Sequence, residues 1–136
     1  MKDHMDADGL VGVLRDTIVA TVRRDGPDLS ARQLGVFLTV YLGDGPHTVR
    51  GLATHLNVSK PAITRALDRL GELDLTKRKT DPQDRRSVLV QRTPKGASLL
   101  RELSGIMTEA ATARPAAGAG EAANTEVAAA TKKAAA

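Results

Sequence analysis

The stretch Ser59-Lys60-Pro61-Ala62-Ile63-Thr64-Arg65-Ala66-Leu67-Asp68-Arg69-Leu70 constrains the chain more than any other. Ile63, Ala66, Leu67 and Leu70 recur at steps of three and four, the signature of a helix with one apolar face. Ser59 is placed to cap that helix through its hydroxyl, and Pro61 suits the first turn, where amide hydrogens lack helical partners. Lys60, Thr64, Arg65, Asp68 and Arg69 are left on the opposite face, hydrogen-bonding and mostly cationic. Thr48 to Asn57 reads as a shorter helix with Val49, Leu52, Ala53 and Leu56 on one stripe, and Val58-Ser59 is a tight turn between the two. This is helix-turn-helix spacing, with the second helix in the position that enters a major groove. Two amphipathic helices joined by a turn also occur in all-α proteins that never meet DNA, so the motif alone does not decide.

Charge bears on that choice. Residues 48–101 hold twelve Lys/Arg against five Asp/Glu, a local excess of +7, whereas residues 1–47 sum to −2 and 102–136 to −1. A solvated surface more often intersperses its signs; a face that binds a polyanion needs such an excess to gain from counterion release. With no cysteine among the 136 residues, disulfides and thiolate metal sites are excluded, a composition compatible with a reducing cytoplasm. The start is acidic and polar, unlike a secretory signal, and no apolar run approaches membrane-spanning length. The expectation is a soluble cytoplasmic protein without a cofactor or a membrane partner.

In chain order, residues 1–8 read as a flexible terminus. Gly9 to Arg24 reads as a helix with Leu10, Leu14, Ile18 and Val22 at four-residue steps and Val11 and Val19 beside them. Ser30 to Gln33 is a capping-box pattern opening a helix with Leu34, Phe37, Leu38, Tyr41 and Leu42 on its apolar face. Phe37 and Tyr41, the only aromatic residues, read as core fillers first and ligand-pocket walls second. Gly43 to His47 breaks the chain, with His47 a solvated residue at the next helix entry.

Past Leu70, Leu75–Lys79 and Ser87–Gln91 read as two strands joined by a charged turn carrying Arg85 and Arg86. A hairpin directly after a helix-turn-helix is the plan of a winged helix, its tip cationic enough for phosphates or a minor groove. Thr93 caps and Pro94 opens a last helix with Ala97, Leu100, Leu103 and Met107 at helical spacing. Residues 114–136 are an alanine-rich, low-complexity tail, expected to be flexible or only partly helical.

At this point the sequence resembles the MarR family of bacterial transcriptional regulators, over about residues 10–107. The wing is the most specific part: Asp84, Arg86, Val90, Thr93 and Gly96 fit the family's spacing, with Asp81-Pro82 ahead of them. Val49, Leu52-Ala53, Leu56, Val58-Ser59, Pro61-Ala62, Thr64, Leu67 and Leu70 look like its helix-turn-helix. The resemblance implies a mainly α fold with a small β-hairpin wing, the winged helix-turn-helix being flanked by N- and C-terminal dimerisation helices. The winged-helix domain is expected over 9–113, with a DNA-binding lobe over about 30–93 and dimerisation helices over about 9–25 and 94–113.

The resemblance also assigns roles. Ser59, Lys60, Pro61, Thr64, Arg65 and Arg69 on the reading helix, with Arg85 and Arg86 on the wing, are the DNA-binding candidates. Thr64 and Arg65 are expected to reach base edges and Lys60 a phosphate. Asp84 is expected to hold the wing's arginine, since a carboxylate repels phosphate but orients a guanidinium through paired hydrogen bonds. Leu10, Val11, Leu14, Ile18, Leu100, Leu103 and Met107 are the dimerisation candidates, with closure of a monomer core as the alternative. Three departures stand out: Asp74 where the family has a helix-ending glycine, Arg92 where it has an apolar residue, and the low-complexity sequence in place of further C-terminal helices.

The expected function is therefore a homodimeric, DNA-binding transcriptional regulator, a repressor of a pseudo-palindromic operator on double-stranded DNA, released by a small-molecule effector as in the family. The alternatives are a binder of DNA without sequence preference and a winged-helix module for protein interaction. No enzyme is expected: Asp81 and Asp84 sit on a charged turn without an apolar pocket, and His4, His47 and His55 are too scattered for a catalytic or zinc constellation.

Overall fold

The structure, a computed structural model, describes residues 6–114; all of the alanine-rich tail but Arg114 lies outside them. The elements run α1 (Ala7–Arg23), α2 (Ala31–Leu42), β1 (His47–Thr48), α3 (Val49–Leu56), α4 (Lys60–Glu72), β2 (Thr76–Thr80), β3 (Val88–Arg92) and α5 (Pro94–Ala113). They divide into two compact units. One is Gly26–Glu102; the other combines the chain up to Asp25 with the chain from Leu103 on. The first nine residues of α5 thus belong to the same unit as the helix-turn-helix, a wider lobe than 30–93.

In that lobe the core is made by Val36, Phe37, Val40, Leu52, Ile63, Leu67, Leu70 and Leu75, all essentially without solvent contact. Helix α2 starts where the capping box puts it: Ser30 Oγ accepts from the Gln33 amide at 3.1 Å, and the Ser30 amide donates to Gln33 Oε1 at 2.9 Å. Its buried face is Val36, Phe37, Val40 and Tyr41 rather than the stripe through Leu34, Leu38 and Leu42, and Leu42 is 70 % exposed. The sequence Val36-Phe37-Leu38-Thr39-Val40-Tyr41-Leu42 is apolar nearly all round, so periodicity cannot choose its face.

Both helices of the motif end in a residue with left-handed backbone. Asn57 has φ 54° and the Val58 amide bonds Ala53 O at 3.0 Å; Asp74 has φ 58° and the Leu75 amide bonds Leu70 O at 2.8 Å. These are six-to-one closures that satisfy terminal carbonyls and turn the chain sharply. Asparagine tolerates this conformation better than most residues, but glycine is cheaper still. Asp74→Gly is accordingly expected to stabilise the protein by about 0.5–1 kcal/mol, because the strain of a side chain at positive φ outweighs the added freedom of the unfolded chain. A rise of a few degrees in the thermal melt checks this; a fall would show that the Asp74 side chain is holding the turn.

The sheet has three strands in the order β1-β3-β2, all antiparallel. The hairpin pairs Arg78 with Val90 at its centre, and β1 adds His47 opposite Val90 and Thr48 opposite Leu89. His47 is therefore a strand residue, half-buried, with Nε2 3.2 Å from Gly43 O, and not a solvated helix entry. A strand of two residues has no period to detect, which is why the pattern misses it.

A buried polar hub joins α2, the end of α4, the wing and α5. The Tyr41 hydroxyl donates to Leu75 O at 2.7 Å and accepts from the Thr93 amide at 2.9 Å, while its ring lies 4.5 Å from that of Phe37. Thr93 Oγ1 donates to Asp74 O at 2.6 Å and accepts from the Gly96 amide at 2.9 Å, capping α5 as expected. Gly96 is required by packing: a Cβ there would collide with the Tyr41 hydroxyl and lie 2.5 Å from Leu75 O. The Thr-x-x-Gly pattern is thus a cap plus the space for one tyrosine.

Arg92 does not disturb the wing. Its Nε donates to Val40 O at 2.9 Å and a terminal nitrogen to Gly43 O at 3.2 Å, with the guanidinium 5.8 Å from the Tyr41 ring centre. It satisfies carbonyls at the end of α2, where a cation also suits the helix dipole.

In the second unit, α1 begins at Ala7, capped by Asp6, whose Oδ1 accepts from the Gly9 amide at 2.7 Å. Residues 6–8 are therefore ordered into the helix rather than part of a loose terminus. The face of α1 buried within the chain is Gly12, Val13 and Thr17. Its apolar stripe points elsewhere: Leu10, Val11, Leu14, Ile18 and Val22 are each 50 to 70 % exposed. Met107 on α5 is 47 % exposed, and Leu100 and Leu103 are half-buried. The α1 stripe and Met107 thus stand outside the core of the described residues.

Candidate nucleic-acid interface

Helix α4 forms for the reasons its sequence suggests. Ser59 Oγ accepts from the Ala62 amide at 3.2 Å, and Pro61 sits in the first turn. Ala62, Ile63, Ala66, Leu67 and Leu70 are all buried, which turns the other face outward. On that face Ser59, Lys60, Pro61, Arg65 and Asp68 are exposed, and Thr64 and Arg69 are half-buried. Arg69 lies 3.5 Å from Glu72, one turn on, so part of its charge is answered locally.

The loop between β2 and β3 is stitched by its own backbone and two carboxylates. The Asp81 amide donates to Ser87 O at 2.9 Å, the Asp84 amide to Asp81 O at 3.2 Å, and the Ser87 amide to Asp84 O at 2.9 Å. Asp81 Oδ1 accepts from the Gln83 amide at 2.9 Å, and Asp84 Oδ1 from the Arg86 amide at 3.1 Å. Asp84 therefore orders the wing through the main chain of Arg86 and not, as expected, through its guanidinium. Side chains of aspartate bonding a backbone amide two residues on are a standard turn-forming device. The result leaves Arg85 and Arg86 exposed at the tip of a well-defined loop.

One contact joins the two parts. Arg78 on β2 donates to Asp68 on α4 at 2.6 Å, so the wing's edge strand runs beside the outward face of the reading helix. Both side chains are more than a third exposed, so the pair contributes little to stability. Its value is placement. Sequence reasoning does not single out Lys77, Arg78 and Lys79 as DNA-facing candidates, although three successive cations on an edge strand are there to be read.

The sequence profile of the MarR family matches residues 43–88, the span from the end of α2 through the wing tip. Among solved structures, the chain is similar to RV1404 from Mycobacterium tuberculosis, at 27 % identity and a TM-score of 0.61, over 74 % of this chain and 65 % of that one. It is similar to the transcriptional repressor CouR bound to a 23-mer DNA duplex, at 27 % identity and a TM-score of 0.58, over 73 % and 67 % of the two chains. It is also similar to MarR itself, at 26 % identity and a TM-score of 0.59, over 78 % of each. The chain spans roughly two thirds to four fifths of the length of these structures. A capped reading helix and an arginine-tipped hairpin coincide with the residues that match the MarR-family profile, and the chain has the winged-helix fold of these transcriptional regulators.

Proposed function

We propose that this protein is a homodimeric, cytoplasmic repressor that reads a pseudo-palindromic operator in double-stranded DNA. The observation that carries the reading is the outward face of α4, with Lys60, Thr64 and Arg65 beside a wing tipped by Arg85 and Arg86, inside the only stretch with excess positive charge. In a dimer the two reading helices lie about 34 Å apart, in successive major grooves. Arg65 and Thr64 reach base edges, the former suited to guanine. Lys60 and the Ser59 hydroxyl meet phosphate near the helix start, where the dipole favours an anion, with the Pro61 ring packed beside them. Arg69 adds charge at the far end, and Arg85 and Arg86 enter the minor groove or hold its phosphates. Repression follows the example of the CouR structure, a repressor on its duplex. Release by a small-molecule effector completes the reading.

The exposed stripe on α1 supports the dimer. Five large apolar side chains in one row on a helix are more than a scatter of surface residues, and such patches mark interaction sites. A two-fold pair of identical chains is the commonest way to cover one, with Leu10, Val11, Leu14 and Ile18 of α1 joined by Leu100, Leu103 and Met107 of α5.

Sedimentation of the Leu14→Glu/Ile18→Glu double variant tests this. Wild type is expected at twice the chain mass and the variant at the chain mass. Its affinity for operator duplex is expected to fall by about 100-fold or more, since two half-sites no longer share one effective concentration. Both changes fall at exposed positions, so a retained melt of the DNA-reading lobe separates dissociation from unfolding. A wild-type chain that sediments as a monomer overturns the dimer.

A further inference from the structure

We infer that Arg114 is a positioning residue for the paired state: its guanidinium, seated on Gly12 of α1, sets the face that α1 and the end of α5 together offer to a second copy of the chain. The inference rests on the dimer reading above and extends it to two residues outside the apolar stripes. Leu100, Leu103, Met107, Ala110 and Arg114 recur at alternating steps of three and four, the spacing of one helix face. Arg114 thus continues the row of α5 that holds its three dimerisation candidates. Helix α5 ends at Ala113, and Arg114 stands just past it with a side chain only 18 % exposed.

A glycine makes the seat. Gly12 is buried on α1, and a Cβ there would fall on the guanidinium of Arg114. One turn on, Asp16 Oδ2 lies 4.0 Å from Arg114 Nη2, while Asp16 Oδ1 accepts from Arg15 Nε at 2.9 Å. A pair that long, on a carboxylate more than a third exposed, holds the arginine weakly. Arg114 Nε is buried and has no hydrogen-bond partner among the described residues. An unpaired buried donor is unfavourable, so fit over Gly12, and not hydrogen bonding, keeps the side chain in place. The planar guanidinium suits a flat seat against a helix backbone. Glycine inside a helix is ordinarily a weakness; at position 12 it lets the end of α5 reach α1. Val11 and Leu14, both in the exposed row of α1, flank it in sequence, so the clasp joins the elements that carry the two apolar rows.

The competing account is that Arg114 only lies its stem along apolar surface, as long cationic side chains do, with no bearing on pairing. Sedimentation of the full chain over a dilution series, for Gly12→Ala, Arg114→Ala and the two together, separates the accounts. An alanine at position 12 displaces the guanidinium, the far end of a flexible side chain, which gives way at little cost. The inference expects each single variant to weaken the dimer about tenfold, and the double variant no more than either, because both changes remove one contact. Gly12→Ala also gains helix propensity, so its thermal melt is expected to match wild type or rise while pairing weakens. A role in stability alone would move the two readouts together. Gly105→Ala is the control: that glycine is exposed on α5 with nothing within 4 Å of its Cβ position, and pairing is expected to stay as in wild type.

Dimers of wild-type strength in both single variants overturn the inference and leave Arg114 as a surface cation. Effects that add in the double variant overturn it as well, since they belong to two separate contacts. If Gly12→Ala melts early, Arg114→Ala, which adds no atom, decides: weakened pairing supports the inference and unchanged pairing overturns it. A wild-type chain that stays monomeric across the series removes the dimer reading and this inference together, whereas a wild-type dimer indifferent to both substitutions removes the inference alone.

Discussion

Gly96→Ala is expected to lower the melting temperature of the protein by about 10–20 °C. The added Cβ falls on the Tyr41 hydroxyl and 2.5 Å from Leu75 O, and neither neighbour is free to give way. The hydroxyl sits at the end of a rigid ring that is buried and packed on Phe37, and it holds both Leu75 O and the Thr93 amide. Moving it breaks two buried hydrogen bonds; moving α5 instead breaks the Thr93 cap. Overpacking and an unsatisfied buried polar group each cost about 1–3 kcal/mol. For a domain of this size each kcal/mol is about 4–8 °C. Gly71→Ala is the control: that glycine is exposed on α4, with nothing within 4 Å of its Cβ position, and the change is expected to be neutral or stabilising by up to about 1 kcal/mol. Melts followed by circular dichroism decide it. Equal behaviour of the two variants would mean that the hub does not hold the lobe together.

Arg65→Ala is expected to weaken binding to the protein's own upstream duplex by roughly 5- to 150-fold, the worth of one bidentate base contact, about 1–3 kcal/mol. Binding to a scrambled duplex should change far less, so the ratio between the two collapses. Arg65 is exposed on the second turn of α4 and makes no contact that supports the fold among the described residues, so its loss is read in recognition rather than stability. Arg86→Ala is expected to behave differently. If the wing meets phosphates, affinity for both duplexes falls and the salt dependence flattens by about one ion. If it enters a narrow minor groove, the loss is greatest on the duplex whose flanks are AT-rich. Binding that ignores both substitutions would place the DNA-contacting surface elsewhere.

Much of this arrangement is legible in the residues, and what is not has particular causes. Helix α4 can be read because cap, proline and apolar steps agree within twelve residues. The hairpin can be read because turn formers precede the β-branched run Ser87–Gln91, although the cations of Leu75–Lys79 make a weak case for its first strand. Thr93 and Gly96 can be recognised as a pattern but not explained, since the tyrosine that needs them is more than fifty residues upstream. Arg92 reads as a misfit for the same reason: its acceptors, Val40 O and Gly43 O, are main-chain atoms that no residue type announces. Asp84 meets the wing's arginine through a different group from the one expected: a carboxylate near arginines suggests an ion pair, while the tighter local geometry favours the Arg86 backbone amide. For α1 the period is right and the direction is not available; a stripe of leucine and isoleucine says that something will cover it, not whether that is the same chain.

The departure at Asp74 is visible in the sequence, and the structure bears it out as a residue at positive φ. The neighbouring cations on β2 register in the sequence only as a weak case for a strand. Their placement depends on a strand edge and on one contact, Arg78 to Asp68, neither of which is a property of local sequence.

The central claim, a regulator that reads sequence through α4 and its wing, is tested most directly by titrating the purified wild-type protein against duplex from its own upstream region and against a scrambled duplex, at two salt concentrations. The account predicts that the upstream duplex binds at least about 1,000-fold more tightly, as specific sites typically do, and that both affinities fall steeply with salt. Equal, weak binding to the two duplexes would contradict it, and would leave the basic lobe as a binder of DNA without preference or of an acidic protein partner.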